Sequence, residues 1–83
     1  MIRVLYFASF RERLNMDSEE VQSHGISDVA SVLLLLRQRE GVWGEIFAQD
    51  ERVMMAVNQE LAEPNTPLND GDELAFFPPV TGG

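Results

Sequence analysis

Apolar positions near the two ends of the chain predict two strands. Residues 2–7 are rich in β-branched and aromatic side chains, with Arg3 interrupting the apolar run, as is typical of a strand. The turn-forming residues 69–72 precede a similar apolar stretch at residues 73–77, which predicts the last strand. Because these two strands are the most apolar of the chain, we expect them at the centre of a sheet.

One amphipathic helix is predicted over residues 28–40. Ser27 is a favourable N-cap, Asp28 suits the positive end of the helix, and Gly41 suits the position after its last turn. At 100° per residue the apolar side chains form one stripe, which we expect to face the core. The stripe consists of Val29, Val32, Leu33 and Leu36. Leu34 falls on the opposite side and is expected to be exposed or covered by the next segment.

Shorter elements are predicted between these strands and the helix. A helical turn is expected around residues 10–14 and a more exposed second strand at residues 18–23. Residues 42–49 predict a short helix or an apolar loop that closes one end of the core.

The second half of the chain completes a predicted sheet. Residues 53–57 predict a third strand, and Asn58-Gln59 predicts a two-residue turn into a short strand around Leu61. A helix with one apolar stripe needs a sheet to cover, and a mixed sheet of four or five strands suffices. If the first and last strands lie side by side and parallel, the fold is a β-grasp. The sequence therefore predicts an α+β domain over residues 1–77 and a tail over residues 78–83.

Length and composition limit the kind of protein. The 83 residues, 45% of them hydrophobic, suffice for one core and leave no room for a second domain. Cysteine is missing from the sequence, which excludes disulfides, cysteine–zinc sites and thiol nucleophiles. The first residues lack the features of a signal peptide, and the longest apolar run, residues 32–36, is too short to cross a bilayer. We therefore expect a soluble cytoplasmic protein.

The charge of the chain restricts its partners. Fourteen acidic and six basic residues give a net charge of −8. Such a chain is repelled by phosphate backbones and anionic lipids, so we expect no nucleic acid and no membrane as partners. The charge either favours a basic surface on another protein or only keeps a small domain in solution.

The side chains needed for self-contained catalysis are missing from the sequence. His24 is the only histidine and adjoins Gly25 in a predicted turn, where a solvated loop residue is the expected role. The acidic residues 70–73 lack the spacing of a calcium-binding loop and fit a hairpin turn. The sequence contains no glycine-rich phosphate loop. We therefore expect no metal, no cofactor bound by the chain itself and no enzymatic activity of the chain alone.

The tail, FFPPVTGG at residues 76–83, suggests a function. Pro78 and Pro79 lack backbone N–H groups and favour an extended conformation, so we expect the last strand to end there and the tail to project. The six residues from Pro78 onward span up to about 20 Å. Gly82 and Gly83 have no Cβ and fit a channel that admits only backbone. These features favour delivery of a terminal carboxylate into a partner's active site over an unpatterned tail.

The end of the chain resembles the molybdopterin synthase small-subunit family. The resemblance rests on DGDELAFFPPVTGG at residues 70–83, on Val57-Asn58-Gln59 with Leu61, and on IRVLYFA at residues 2–8. The length of the chain also matches, whereas residues 14–52 are similar only in layout. A terminal Gly-Gly alone is shared with thiamin sulfur carriers and ubiquitin-like modifiers, but the full proline-containing segment is typical of the molybdopterin branch.

The resemblance implies a ubiquitin-like β-grasp fold and a sulfur-carrier role. An ATP-dependent activating enzyme would adenylate Gly83, and sulfur from a donor protein would displace AMP and leave a thiocarboxylate. The tail would then enter the large subunit of molybdopterin synthase, where the sulfur passes to the cyclic pterin precursor and builds the dithiolene. The residues expected to insert are Pro78, Pro79, Val80, Thr81 and Gly82. A thiocarboxylate is a soft nucleophile, which suits this transfer.

A carrier that docks onto partners needs an exposed apolar surface. Alternation along the first and last strands places Phe7 and Phe77 on the same face as Arg3 and Glu73. If the charged residues point outward, Phe7 and Phe77 are exposed together, and Leu61 is a candidate neighbour. Corresponding residues contact partners in the family that the chain resembles. The alternative is that these aromatic residues belong to the core.

Two other functions remain compatible with the tail. In one, Gly83 joins a lysine of a target protein or simply docks, as in a ubiquitin-like modifier. In the other, the sulfur serves a different pathway such as thiazole synthesis. The chain itself contains no lysine, since all six basic residues are arginine. This either protects the activated tail from side-chain amines of its own chain or reflects a GC-rich genome.

Overall fold

The computed structural model describes residues 1–79, which form a layer of helices on one face of a five-stranded sheet. The elements are β1 (Ile2–Tyr6), α1 (Ala8–Leu14), β2 (Ser18–Val21), α2 (Val29–Arg37), α3 (Val42–Ile46), β3 (Met54–Val57), β4 (Glu60–Leu61) and β5 (Glu73–Phe77). The tail residues Val80, Thr81, Gly82 and Gly83, to which the sequence assigned a function, lie outside the described residues.

The centre of the sheet is a parallel pair formed by the first and last strands. β1 and β5 run side by side from Arg3 opposite Glu73 to Tyr6 opposite Phe76, in the sheet order β2-β1-β5-β3-β4. β2 pairs antiparallel with β1, and β3 pairs antiparallel with β5. The predicted mixed sheet and the predicted β-grasp arrangement are therefore confirmed.

The core lies between α2 and the face of the sheet that we call the inner face. Inner-face side chains on the two central strands are fully buried, as are most of the helix residues that pack on them. They include Ile2, Val4, Tyr6, Leu74 and Phe76, together with the predicted stripe of Val29, Val32, Leu33 and Leu36. The prediction for the stripe is confirmed. Leu34 was predicted to be either exposed or covered by the next segment, and it is 56% exposed.

The predicted start of α2 is wrong by one residue. Asp28, and not Ser27, is the N-cap, and its Oδ1 accepts hydrogen bonds from the backbone N–H of Ser31 at 2.9 Å and the Ser31 hydroxyl at 2.8 Å. Ser27 lies outside the helix because its carbonyl accepts a hydrogen bond from the N–H of Leu68 at 3.0 Å. A contact distant in sequence therefore decides which of two good capping residues is used.

The predicted end of α2 is also wrong. The helix stops at Arg37, with Gln38 as C-cap, whereas the sequence predicted Glu40 followed by Gly41. Gly41 instead adopts a positive φ of 77° immediately before α3, a conformation that favours glycine. Beyond the helix end, the side chain of Arg39 reaches across to Glu19 on β2.

The turn between β3 and β4 was predicted correctly. Asn58 and Gln59 both have positive φ, 50° and 71°, as required for the two central residues of a type I′ turn. β4 contains only Glu60 and Leu61, so it forms a short edge strand. This short strand leaves the Leu61 side chain 75% exposed.

Candidate functional site

The outer face of the sheet, opposite α2, carries an apolar row that crosses four strands. Leu5 on β1 lies opposite Ala75 on β5. Ala75 in turn lies opposite Ala56 on β3, and Ala56 lies opposite Leu61 on β4. Residues that face each other across neighbouring strands point to the same side of a sheet. The row therefore has two small residues at its centre and a leucine at each end.

A second apolar row lies closer to the tail. Phe77 at the end of β5 is opposite Met54 at the start of β3. Phe7 continues β1 in extended conformation by one residue, and its N–H donates to the carbonyl of Phe76 at 3.1 Å. Together the two rows form what we call the outer apolar patch. It consists of Leu5, Phe7, Met54, Ala56, Leu61, Ala75 and Phe77.

The outer apolar patch ends at a charged border on the side away from the tail. There Arg3 on β1 lies between Glu20 on β2 and Glu73 on β5. Arg3 and Glu20 are exposed and Glu73 is half-buried. A polar rim around an apolar centre is the usual organisation of a protein-binding surface.

The three residues predicted to bind partners all lie in the outer apolar patch. Phe7 is 46% exposed, Leu61 is 75% exposed and Phe77 is half-buried, which agrees with the predicted outward orientation. The core position in this part of β5 belongs instead to Phe76, which is fully buried. That Phe7, Leu61 and Phe77 bind partners stays a prediction.

Sequence reasoning missed four members of the patch. Strand alternation alone places Leu5 on the face of Phe7 and Ala75 on the face of Phe77, so this signal was present in the sequence. Met54 and Ala56 join the patch only through the pairing of β3 with β5. That pairing cannot be read from the periodicity of β3 alone.

The root of the tail is anchored to the core through the last strand. The ring of Phe76 packs against Phe47 with centroids 5.2 Å apart and against Tyr6 at 6.3 Å. Pro78 and Pro79 follow Phe77 directly and are half-buried. Since their rings fix φ and remove two N–H donors, β5 ends at the row formed by Phe7, Phe77 and Met54. Pro78 therefore begins directly beside the outer apolar patch.

A polar network closes the inner side at the same end of the sheet. The hydroxyl of Tyr6 donates to Glu19 Oε2 at 2.7 Å, and Arg39 donates to both carboxylate oxygens of Glu19 at 2.7 and 2.9 Å. The guanidinium of Arg39 also lies 4.4 Å from the centre of the Trp43 ring. One arginine thus joins the segment after α2 to β2 and to α3.

The network shifts the pKa values of its members. Burial raises the pKa of the Tyr6 hydroxyl, and the neighbouring Glu19 raises it further, so Tyr6 stays a hydrogen-bond donor. Burial alone would raise the pKa of Glu19, but hydrogen bonds from Arg39 and Tyr6 outweigh it and hold that pKa below its ordinary value. The hydrogen bond to Glu19 raises the pKa of Arg39. The network therefore contains a stable carboxylate–guanidinium pair.

The acidic residues 70–73 lie at a turn, as predicted, but the turn does not close the predicted hairpin, because β4 and β5 are not neighbours in the sheet. Asp72 Oδ2 accepts a hydrogen bond from the N–H of Asn69 at 2.8 Å, and Asp72 Oδ1 accepts one from the Asn58 side chain at 3.1 Å. Asp70 pairs with the α-amino group of Met1. Within residues 1–79 no group of histidine and acidic side chains is arranged to hold a metal ion.

No helix in the described part of the chain is long and apolar enough to cross a membrane.

Comparison with known proteins places the chain in a family. The sequence pattern described as the ThiS family matches residues 4–83. The molybdopterin synthase sulfur carrier subunit of Escherichia coli (strain K12) is 44% identical over 86 aligned residues, which cover 100% of both chains.

Solved structures with the same fold include the following two. SAMP1 from Haloferax volcanii, small archaeal modifier protein 1, has a TM-score of 0.78 at 28% identity, covering 99% of this chain and 98% of that one. A chain from the complex of subunits 1 and 2 of the molybdopterin-converting factor of Helicobacter pylori 26695 has a TM-score of 0.67 at 25% identity. That match covers 99% of this chain and 97% of the other. The chain therefore belongs to the ThiS family and, by its full-length likeness, to the molybdopterin synthase sulfur carrier subunits.

Proposed function

We propose that the chain is the sulfur carrier subunit of a molybdopterin synthase. The observation that carries the proposal is the likeness to a carrier subunit of that name, 44% identical over the whole of both chains. The outer apolar patch supports it, because an exposed apolar surface of this kind marks a site of protein association. In this proposal residues 1–77 are the docking domain and residues 78–83 are the segment that enters the partner.

The chemistry of the proposal takes place at Gly83. A carboxylate is a poor electrophile until it carries a good leaving group, so an activating enzyme first joins it to AMP from ATP and releases pyrophosphate. Hydrosulfide supplied by a donor protein then attacks the carbonyl carbon, a C–S bond forms, and the C–O bond breaks as AMP leaves with the electron pair. The product is a thiocarboxylate on Gly83, and the chain needs no cofactor of its own for this step.

Sulfur transfer requires the tail to enter the active site of the large subunit. The thiocarboxylate sulfur attacks a carbon of the cyclic pterin precursor, a C–S bond forms and a C–O bond at that carbon breaks as the oxygen leaves. Water then hydrolyses the resulting thioester, which leaves the sulfur on the pterin and restores the carboxylate of Gly83. Because a dithiolene contains two sulfur atoms and each tail carries one, two loaded chains are consumed for each molybdopterin. Gly82 and Gly83 suit this insertion, since a backbone without Cβ atoms fits a narrow channel.

The large subunit is the proposed partner of the outer apolar patch. In Helicobacter pylori, subunits 1 and 2 of the molybdopterin-converting factor form a complex, and one chain of that complex shares the fold of this protein. Docking of the patch around the tail root would direct Pro78, Pro79, Val80 and Thr81 toward the partner's pocket. The activating enzyme and the sulfur donor belong to the same proposal.

The proposal is tested by reconstitution from purified components. The chain, its activating enzyme, ATP, a sulfur source and the large subunit should convert the cyclic pterin precursor to molybdopterin, which is measured as pterin product. Deletion of Gly83 should abolish product formation and leave the melting temperature unchanged, because the tail lies beyond β5. Gly82→Leu should reduce turnover more than docking, since the new side chain obstructs insertion. A chain without Gly83 that still accepts sulfur would contradict the proposal.

A protein-modifier function is the second candidate. It is favoured by the TM-score of 0.78 with SAMP1, small archaeal modifier protein 1. In that case Gly83 forms an amide with a lysine of a target protein, and sulfur transfer is dispensable. Covalent conjugates formed in lysate without any pterin conversion by the purified pair would favour the modifier function. Sulfur incorporation into thiazole instead of pterin would indicate the third possibility, a carrier for another pathway.

A further inference from the structure

A groove opens beside the start of β3, on the side of the strand that faces away from β5. β4 pairs only with Ala56 and Val57, so in the described part of the chain the first half of β3 has no strand next to it on that side. The groove has a volume of about 300 Å³, at the lower limit of the roughly 300–1,000 Å³ that is typical of small-molecule sites. Its size therefore suits one or two side chains of a peptide better than a cofactor.

The lining of the groove is largely apolar. Leu33 on α2 and Met55 on β3 are almost fully buried and line it, together with Ala48, Val53 and Pro64. These residues come from the helix, from the segment before β3 and from the segment after β4. An apolar side chain in the groove would therefore contact carbon atoms on several sides and be removed from water.

Two guanidinium groups line the same groove. They belong to Arg37 at the end of α2 and to Arg52 just before β3. Nε of Arg37 donates to the carbonyl of Phe47, which fixes this half-buried side chain and leaves its terminal nitrogens without an acceptor in residues 1–79. Arg52 is exposed, and the ion pairs within that range include neither arginine. Guanidinium groups with unused N–H donors are suited to bind a carboxylate through paired hydrogen bonds.

The charge of the groove differs in sign from that of the whole chain. Its lining includes Arg37, Arg52 and one acidic residue, Glu51, whereas the chain has a net charge of −8. Salt screens charges that are more than about 10 Å apart in roughly 0.1 M solution. A carboxylate bound in the groove would therefore respond mainly to these neighbouring side chains and be attracted.

The groove is continuous with the outer apolar patch through one residue. Met54 lines the groove and also lies opposite Phe77 in the patch. A partner that covers the patch therefore reaches the groove by passing over the edge of β3, without losing contact with the chain.

We propose that the groove is a second docking site for the partner that covers the outer apolar patch, and that it binds an acidic peptide segment of that partner. An apolar side chain of the segment enters the groove, and a neighbouring carboxylate binds Arg37 and Arg52. The proposal rests on the proposed function to the extent that this partner is the large subunit of molybdopterin synthase. The second contact makes docking selective, because a partner with an apolar surface but no acidic segment binds only the patch.

The chemistry of the groove is tested on the full chain alone with a synthetic peptide. The acetylated and amidated tetrapeptide Leu-Asp-Leu-Glu is titrated into the isotope-labelled chain, and the backbone amide signals are followed by NMR. Saturable shifts are expected at Ala48, Arg52 and Val53. The matched peptide Leu-Asn-Leu-Gln should bind at least about threefold more weakly, because it has no carboxylate to pair with the arginines. Equal binding of the two peptides, or shifts only outside the groove, would overturn the proposal.

The identity of the occupant is tested by titration calorimetry with the purified large subunit. Arg52→Gln should weaken binding about three- to tenfold, through the loss of a charged hydrogen bond at an exposed site. Arg52→Gln is the decisive variant, because the Arg52 side chain is exposed and its loss should not disturb the fold. Arg37→Gln should have a similar effect on affinity, and its melting temperature shows whether the lost contact with Phe47 also matters.

Arg13→Gln is the matched control, since it removes the same charge from an arginine that pairs with the exposed Glu45. It should change the affinity by less than about twofold. Equal losses for Arg52→Gln and Arg13→Gln would show a general effect of net charge and overturn the proposal. A large subunit that fails to bind even the native chain would reject the proposed function and with it this occupant. The peptide titration would then still show whether the groove binds an acidic segment.

Discussion

The two faces of β5 differ in burial, although each carries a phenylalanine at the end of the strand. Phe76 on the inner face is fully buried and packs on Phe47 and Tyr6. Phe77, the next residue, is half-buried on the outer face beside Met54. The alternation of a strand thus lets one segment anchor the core and present an apolar surface at the same time. Amino-acid type alone does not reveal which of the two phenylalanines has which role.

The two faces also differ in how their apolar side chains are covered. On the inner face, large side chains from α2 and α3 fill the space above the sheet and bury it. On the outer face, Ala56 and Ala75 form a low centre, and the larger Phe7 and Leu61 stand exposed at its edges. A surface with a low centre and raised apolar edges is suited to receive a partner's side chains.

The largest expected difference between the faces is in stability. Phe76→Ala should lower the free energy of unfolding by about 3–5 kcal/mol, because it removes a buried ring and leaves a cavity. That is a large part of the roughly 5–10 kcal/mol expected for a domain of this size. Phe77→Ala should cost about 1 kcal/mol, since its ring is only partly removed from water. Urea denaturation of both variants measures the difference.

For binding to the large subunit we expect the opposite order, with a larger effect of substitution at Phe77 than at Phe76. Phe77→Asp should abolish or strongly weaken binding to the large subunit while the chain stays folded, as calorimetry and circular dichroism can show. If Phe77→Asp lowers the free energy of unfolding at least as much as Phe76→Ala does, then Phe77 is a core residue and the outer apolar patch is misassigned.

A smaller effect is expected from the polar network on the inner side. Glu19→Gln should cost about 1–3 kcal/mol at pH 7, because it removes the charge partner of Arg39 from a partly buried site. The folded pKa of Glu19 is lowered, so its contribution is complete above the unfolded value of about 4.3 and is lost as the pH falls through the folded pKa. The stabilities of the native chain and the variant should therefore converge at acid pH.

Tyr6→Phe is the control for this prediction. It removes the 2.7 Å hydrogen bond to Glu19 and keeps the ion pair with Arg39. Its cost should be smaller than that of Glu19→Gln and should persist at low pH. A difference between the native chain and Glu19→Gln that is constant from neutral to acid pH would show that the carboxylate charge does not matter.

Periodicity predicted those parts of the molecule that depend on neighbouring residues in sequence. The stripe on α2, the order of the strands along the chain and the Asn58-Gln59 turn follow from local spacing and backbone preference. The central position of β1 and β5 followed from their apolar character, whereas their parallel pairing was a possibility that the structure confirms. Alternation placed Phe77 on the face of Glu73, and its outward position followed on the condition that the charged residues point outward.

Contacts between distant segments account for what the sequence did not predict. The start of α2 depends on the hydrogen bond from the N–H of Leu68 to the carbonyl of Ser27. The residues around Ser27 alone do not reveal this hydrogen bond. The ion pair of Arg39 with Glu19 depends on where the segment after α2 meets β2. Met54 belongs to the outer apolar patch only through its register with Phe77. These features need the assembled sheet.

The smallest expected effect is a change in binding affinity, and it should distinguish two exposed leucines that lie on opposite layers of the molecule. Leu61 is 75% exposed at the edge of the outer apolar patch, and Leu34 is 56% exposed on the helical layer. Leu61→Gln and Leu34→Gln should each change the free energy of unfolding by no more than about 0.5 kcal/mol, because neither side chain is buried. Glutamine is tolerated in a helix, so the two substitutions are matched.

Only Leu61→Gln should weaken binding to the large subunit, by up to about tenfold, or about 1.4 kcal/mol. The reason is that Leu61 lies opposite Ala56 in the outer apolar patch, whereas Leu34 points away from the sheet. Titration calorimetry with the purified large subunit measures both affinities under the same conditions. An equal loss for the two variants would indicate a general effect of surface hydrophobicity. A loss confined to Leu34→Gln would move the docking surface to the helical layer and exclude the outer face.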